Sequence, residues 1–292
     1  MALLLDAMRE IAAGTANAAP YAACFLASNI IARQTAPKNL ADADVAYWAS
    51  SCVSTLHSLI IVPLAYLAME PLWFSTDLIA TTDASHRAID IFIGYIIQDS
   101  LPLLWYRQQW SGSGIYICHH AASYICWSLM GVRGHGHAVA VGLLLVEATA
   151  PFVNGRYFLS MLDRKDGLLY VINGVLMAVS FFLLRIVFMG WLLFRNIIYL
   201  NAAFLALPAS TVTVVVVGVG VGYPMQWLWF SKICSGLLKV LKSASKAPKM
   251  DSNAGKQASV SMRTEAYPVG YSSKGSALQA ASERQSMRRK AL

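Results

Sequence analysis

Long apolar blocks separated by short polar segments make up most of the chain. Seven of these blocks approach the roughly 20 apolar residues that a helix needs to cross a bilayer. They are residues 11–32, 47–68, 88–104, 114–131, 137–154, 169–194 and 207–230. Between them lie helix breakers such as Pro37, Pro71 and Gly112. The pattern predicts an all-α, polytopic membrane protein with about seven transmembrane helices.

The composition agrees with this prediction and locates the positive charge. Of the 292 residues, 57% are hydrophobic and only 13% are charged, whereas a soluble domain has about 25% charged residues. Residues 232–292 contain 12 Lys/Arg and 3 Asp/Glu, so the net charge of +8 arises there. We therefore expect membrane lipids and no nucleic acid as partners. The oligomeric state stays open.

Three regions follow from these patterns. Residues 1–46 are predicted to form an N-terminal transmembrane helix and a loop, and residues 47–242 the main membrane domain. Residues 243–292 are rich in Ser, Ala, Lys and Gly without an apolar period, which is typical of a disordered tail.

The distribution of Lys and Arg over alternate loops predicts the orientation. The loops that share a side with the basic tail contain Arg33, Lys38, Arg107, Arg156, Arg164 and Lys165. We therefore expect a cytosolic C-terminus. The terminal Arg288-Arg289-Lys290 resembles a degenerate dilysine retrieval signal, which predicts the endoplasmic reticulum or another endomembrane.

Several ionisable residues interrupt the apolar blocks at one depth. Counting 1.5 Å per residue from the predicted helix ends places Asp99 and His119 roughly 7–9 Å below the cytosolic end. His120, Glu147 and Asn173 fall in the same layer. A charge at the bilayer centre costs about 2.5–3.5 kcal/mol, so these side chains are expected to face a shared cavity. The alternative is a polar network that fixes helix packing.

Other polar residues lie away from this layer. His57 is near the middle of the second block, Arg185 is past the middle of the sixth, and Asp90 is near the opposite end of the third. His135 and His137 occur in a glycine-containing loop and are expected to be solvated.

The Asp99–His pair suits acid–base chemistry, because a carboxylate orients an imidazole and raises its basicity. An imidazole can also act as a nucleophile. His119 and His120 diverge by about 100° around a helix, so we expect at least one of them to face the cavity. A di-His metal site on a helix uses i, i+4 spacing, and no metal is expected here.

An Asp in one helix followed about 20 residues later by His-His resembles the TLC-domain family, which includes ceramide synthases and translocating-chain-associated proteins. The blocks SSCVSTLHSLIIV, VEATAPFVNGRYF, INGVLMAVSFFLLRIV and FSKICSGLLKVLK resemble one branch of that family. The resemblance extends from Tyr47 to Lys242 and implies a six-helix TLC core.

The resemblance also implies roles for named residues. In ceramide synthases, the His pair and nearby carboxylates serve amide formation between a fatty acyl-CoA and a sphingoid base. By this resemblance His119, His120 and Asp99 are the catalytic expectations. Residues expected to bind a lipid substrate are Glu147, Asn154, Asn173 and His57. Where the synthases have an Asp-x-x-Asp-type motif, this chain has VEATAPFVN.

Three functions remain open at this point. The first is lipid homeostasis, with membrane or sphingoid lipids handled in a polar intramembrane cavity. The second is an acyltransferase that uses the His pair with a long-chain acyl-CoA as co-substrate and without a bound cofactor. The third is a translocon-associated interaction protein.

Overall fold

A computed structural model describes residues 2–246 of the chain and the side chains of residues 4–239. This part is helical and contains no β-strand. Its α-helices are α1 (Ala2–Arg33), α2 (Asp42–Met69), α3 (Asp83–Trp105), α4 (Ser113–Arg133), α5 (His137–Leu144), α6 (Ala150–Met161), α7 (Leu168–Phe181), α8 (Met189–Leu193), α9 (Asn201–Leu205) and α10 (Ala209–Lys246). The all-α prediction is confirmed.

Five helical segments are long and apolar enough to cross a membrane. They are Asp42–Leu72, Asp83–Trp105, His137–Met161, Leu168–Tyr199 and Ala209–Lys239. This finding supports a polytopic membrane protein.

The two other predicted spans, residues 11–32 and 114–131, form α1 and α4 but are not among these five segments. Asn17 and Pro20 lower the hydropathy of α1, and the adjacent His119 and His120 lower that of α4. Of the seven predicted spans, five are thus supported by length and composition among the described residues.

Two of the long segments contain irregular turns. A 3₁₀ helix, Leu145–Thr149, joins α5 to α6. A π-helix, Phe182–Phe188, joins α7 to α8, and a second π-helix, Phe194–Tyr199, follows α8. Such irregular turns within a longer helix often mark functional positions.

Helices α1 and α3 cross at very short distance. A Cβ built on Gly94 would lie 2.5 Å from Tyr21 Cβ and 2.8 Å from the carbonyl oxygen of Ala18, so only glycine permits this approach. Small residues at a helix crossing let backbones pack closely in a membrane. The N-terminal helix is therefore an integral part of the bundle.

The fifth predicted block ends later than expected. Residues 137–154 were predicted, but the helical segment continues to Met161. Asn154 and Arg156 therefore lie inside α6, and Arg156 is buried at 4% exposure. Its assignment to a cytosolic loop was wrong, because the last apolar residue of a block does not mark the end of the helix.

His137 is also not solvated. It begins α5 with 0% exposure, and its Nδ1 and Nε2 lie 2.7 Å from Ser85 Oγ and 3.2 Å from the Met130 carbonyl oxygen. Gly134 (φ 66°) and Gly136 (φ 73°) adopt left-handed conformations that turn the chain sharply after α4. This turn brings His137 beside the start of α3.

The predicted tail falls mostly outside the described residues. Helix α10 continues to Lys246, which is four residues into the region 243–292. The remainder of that region, including the retrieval-like sequence at Lys290, lies outside the part that the structure describes.

Candidate functional site

A cavity of about 240 Å³ lies inside the bundle, between α2, α3, α4, α6, α7 and α10. Five of the seven predicted site residues line it: Asp99, His119, His120, Glu147 and Asn154. The expectation that the layer of polar residues shares one cavity is thus met for most of its members.

Asp99 and His120 form a pair on neighbouring helices. Asp99 Oδ2 lies 3.6 Å from His120 Nε2, and the two side chains are only 14% and 11% exposed. Ser50 of α2 donates a hydrogen bond to the other carboxylate oxygen. His120 Nδ1 lies 3.2 Å from Ser100 Oγ. Two residues of α3 therefore fix the orientation of the imidazole.

His119 lines the same cavity, so both histidines face it, in agreement with the expectation that at least one of them would. The ring centroids of His119 and His120 are 5.9 Å apart. His119 packs edge-to-face on Trp229 of α10, with 5.5 Å between centroids. Its ring nitrogens have no hydrogen-bonding partner among the described residues. His119 is thus a free imidazole beside an anchored one.

Glu147 pairs with Arg185, a residue that the sequence analysis did not assign to the site. Arg185 Nη2 lies 3.2 Å from Glu147 Oε1, and Nε donates to Thr149 Oγ1 at 2.8 Å. Its Nη1 donates to Gln226 Oε1 at 3.3 Å. This largely buried ion pair connects the 3₁₀ turn Leu145–Thr149 with the π-helix Phe182–Phe188.

The sequence explains the 3₁₀ turn at Glu147. Pro151 has no N–H, so the α-helical hydrogen bond from residue 151 to the Glu147 carbonyl cannot form. That carbonyl instead accepts from the Ala150 N–H and from Ser58 Oγ, the latter at 2.7 Å. The proline thus sets the local geometry at the site's second carboxylate.

The remaining predicted substrate-binding residues differ in their surroundings. Asn154 lines the cavity, and its Nδ2 donates to Thr55 Oγ1 at 3.0 Å. Asn173 donates to the Phe152 carbonyl at 2.8 Å and is not among the lining residues. It packs between helices α6 and α7.

His57 is also away from the cavity. It is fully buried, with its ring stacked on Tyr95 at 3.9 Å between centroids. Neither ring nitrogen has a hydrogen-bonding partner among the described residues. The direct substrate contact expected of His57 and Asn173 is thus not supported by their positions.

Apolar and aromatic side chains also line the cavity, including Met177, Phe181, Trp229 and Ile233. On the other side of His120, a second recess of about 440 Å³ lies between α1, α3 and α4 and is almost entirely apolar. His120 therefore lies at the wall between a polar and an apolar space. Such a combination can hold a molecule with one polar end and one apolar end.

Comparison with known proteins identifies relatives over about two thirds of the chain. Residues 47–235 match the family profile described as TLC domain. TLC domain-containing protein 4-B of Danio rerio is 30% identical over 218 residues, covering 70% of this chain and 79% of the relative. TLC domain-containing protein 4 of Homo sapiens is 31% identical over 208 residues, covering 66% and 75%.

A more distant relative is TLC domain-containing protein 1 of Gallus gallus, which is 28% identical over 158 residues, 51% of this chain and 61% of the relative. No solved structure matches the chain.

Proposed function

Because the chain belongs to the TLC-domain family, we propose that it acts in membrane-lipid homeostasis by holding a long-chain lipid in the cavity. One observation carries the proposal. Two largely buried polar pairs, Asp99–His120 and Glu147–Arg185, share a lining with apolar and aromatic side chains inside the bundle. Buried ionisable groups in a membrane are costly and usually serve a function.

The lining of the cavity matches the two chemical parts of a membrane lipid. A membrane lipid has a polar group attached to a long apolar chain. The two pairs offer donors and acceptors to the polar group, and residues such as Phe181 and Trp229 offer contact to the chain. A soluble polar metabolite would make no favourable contact with the apolar side chains of the lining.

Lipid profiles of cells that lack the protein test the proposal. Wild-type protein should restore the profile, and Asp99→Asn should not, although it reaches the membrane in equal amount. An unchanged profile after loss of the protein, under several lipid supplies, would contradict the proposal. Val179→Ala on the exposed face of α7 is the control.

Location and orientation are part of the same proposal. We infer residence in the endoplasmic reticulum or another endomembrane with the C-terminal region in the cytosol, from the basic residues 232–292 and the Lys and Arg residues of the loops on the same side. Protease protection of a C-terminal tag in sealed microsomes tests the orientation. A protected tag would contradict it.

Acyl transfer is the second function that a specific observation favours. His119 has free ring nitrogens and lies beside the anchored Asp99–His120 pair, as a nucleophile or general base requires. Purified protein supplied with a long-chain acyl-CoA and a sphingoid base would then form an amide product. His119→Ala should abolish it, and a product that persists in this variant would exclude the His119 mechanism.

A further inference from the structure

The cavity contains a second arginine, Arg156, whose environment differs from that of Arg185. Arg156 lies on α6, lines the cavity and is 4% exposed. It makes no ion pair with any carboxylate among the described residues. A buried charge without a partner is unfavourable, so the guanidinium lacks the anion that Glu147 provides for Arg185.

The guanidinium nevertheless has two contacts with Tyr170. Its carbon lies 4.0 Å above the Tyr170 ring centroid, and Nη1 donates a long hydrogen bond of 3.5 Å to the Tyr170 carbonyl oxygen. A Cβ at Gly174 would lie 2.6 Å from Nη1, so the absent side chain of this glycine makes room for the arginine. Most of the five N–H donors of Arg156 stay available.

Ser160 provides an independent observation at the same place. It follows Arg156 by one helical turn, so both residues lie on one face of α6. Ser160 lines the same cavity and is 7% exposed, and its Oγ has no hydrogen-bonding partner among the described residues. A buried hydroxyl without a protein partner is rare, and its hydrogen bond is available to a molecule in the cavity.

We propose that Arg156 and Ser160 bind the phosphate group of an anionic lipid whose apolar part occupies the cavity. A planar guanidinium donates two parallel hydrogen bonds to phosphate oxygens, and the serine hydroxyl donates to a third. Nine residues separate Glu147 from Arg156, which corresponds to roughly 14 Å along a helix. The polar pairs then lie deeper in the cavity than the phosphate.

This inference rests on the proposed lipid-binding function and names the substrate class. Native mass spectrometry of the full chain in detergent can test it with dioctanoyl phosphatidic acid and dioctanoylglycerol, which differ only in the phosphate. We expect wild-type protein to bind the phosphatidic acid at least about tenfold more tightly, as charge-assisted hydrogen bonds imply.

Variants separate the site from general attraction between charges. Arg156→Gln should weaken binding of phosphatidic acid by roughly 10- to 100-fold and leave that of dioctanoylglycerol within about twofold. Ser160→Ala should cost a few-fold. Arg164→Gln, which removes the same charge from the exposed loop after α6, is the matched control and should have no effect.

Competition with inorganic phosphate distinguishes a lipid headgroup from a soluble phosphate compound as the natural ligand. If it displaces phosphatidic acid at submillimolar concentration, the site serves a soluble phosphate compound; if it does not, the lipid headgroup is the ligand. If Arg156→Gln does not fold, Arg156→Lys replaces it in the comparison with wild type. Lysine keeps the positive charge but lacks the planar pair of N–H donors. Arg156→Lys should then bind phosphatidic acid less tightly than wild type.

Two results would overturn the inference, and they are distinguishable. Equal binding of both lipids by wild type and Arg156→Gln would exclude the phosphate site and leave the lipid cavity intact. Binding of neither lipid would contradict the proposed function itself.

Discussion

Two histidines meet serines at opposite ends of α3, and their surroundings differ. His137 Nδ1 lies 2.7 Å from Ser85 Oγ, and His120 Nδ1 lies 3.2 Å from Ser100 Oγ. The serines are fifteen residues apart, or roughly 22 Å along the helix. His137 is fully enclosed, and its other nitrogen meets the Met130 carbonyl. His120 instead faces a carboxylate and lines two cavities.

The difference separates a structural histidine from one available for chemistry. A fully enclosed histidine such as His137, with both nitrogens next to uncharged partners, contributes to stability and has no adjacent space for a ligand. The imidazole of His120 is oriented by α3 but borders open space. A histidine next to a serine can therefore be structural or functional. The partner of its other ring nitrogen and the open space beside the ring decide between the two.

The largest expected effect is a loss of function on changing Asp99, the carboxylate that lies beside His120 and has no counterpart at His137 among the described residues. Asp99→Asn keeps the size of the side chain and removes its negative charge. If the Asp99–His120 pair transfers protons, restoration of the lipid profile should fall by about 100-fold or more, with near-normal amounts of folded protein. Full restoration by this variant would assign the pair to helix packing.

The next effect is on stability, at the enclosed histidine. His137→Ala removes a fully buried ring and leaves the Met130 carbonyl without that donor. We expect a loss of about 2–4 kcal/mol, measured by reversible unfolding in detergent. His135→Ala, at a half-buried neighbour, is the control and should cost less than about 1 kcal/mol. Equal costs for the two variants would remove the distinction.

A third prediction concerns the ion pair on the opposite side of the cavity. Arg185→Met leaves the largely buried Glu147 without its ion-pair partner, whereas the double variant with Glu147→Gln removes both charges. The double variant should be more stable than the sum of the single changes predicts, by about 1–3 kcal/mol. Additive unfolding free energies would show that the two side chains do not interact in the folded protein.

The smallest expected effect is the stability cost of changing the cavity histidine. His120→Gln keeps a hydrogen-bonding side chain near Ser100 and borders a space that water can fill. We expect the free energy of unfolding to fall by less than about 1 kcal/mol in the same assay. A loss as large as that of His137→Ala would mean that His120 is also primarily structural.

Depth counting from the sequence predicted much of the site. Asp99, His119 and Glu147 could be placed together because a regular helix rises uniformly with residue number. The same counting missed Arg185, because a long side chain reaches far from its own backbone and a π-helix shifts the register. The signal was available, since an ionisable residue within an apolar block usually pairs with another such residue or with a backbone carbonyl.

Other features could not be read from the pattern. His57 was expected in the site on polarity alone, but aromatic residues of α1 and α3 surround its ring. His137 was expected in solvent because the glycines beside it indicate a turn without indicating where the turn leads. Tertiary packing between distant segments decides both positions.

Residue-level photo-crosslinking tests the central claim, that the cavity holds a lipid. A long-chain lipid with a diazirine in its acyl chain would be added to membranes that contain the protein, and labelled residues would be mapped by mass spectrometry. Met177 is 2% exposed and lines the cavity, whereas its neighbour Leu176 is 46% exposed on the outer face of α7. The account predicts label on Met177 and on Trp229 of α10. Label confined to Leu176 and other outer residues, with none on Met177, would contradict it.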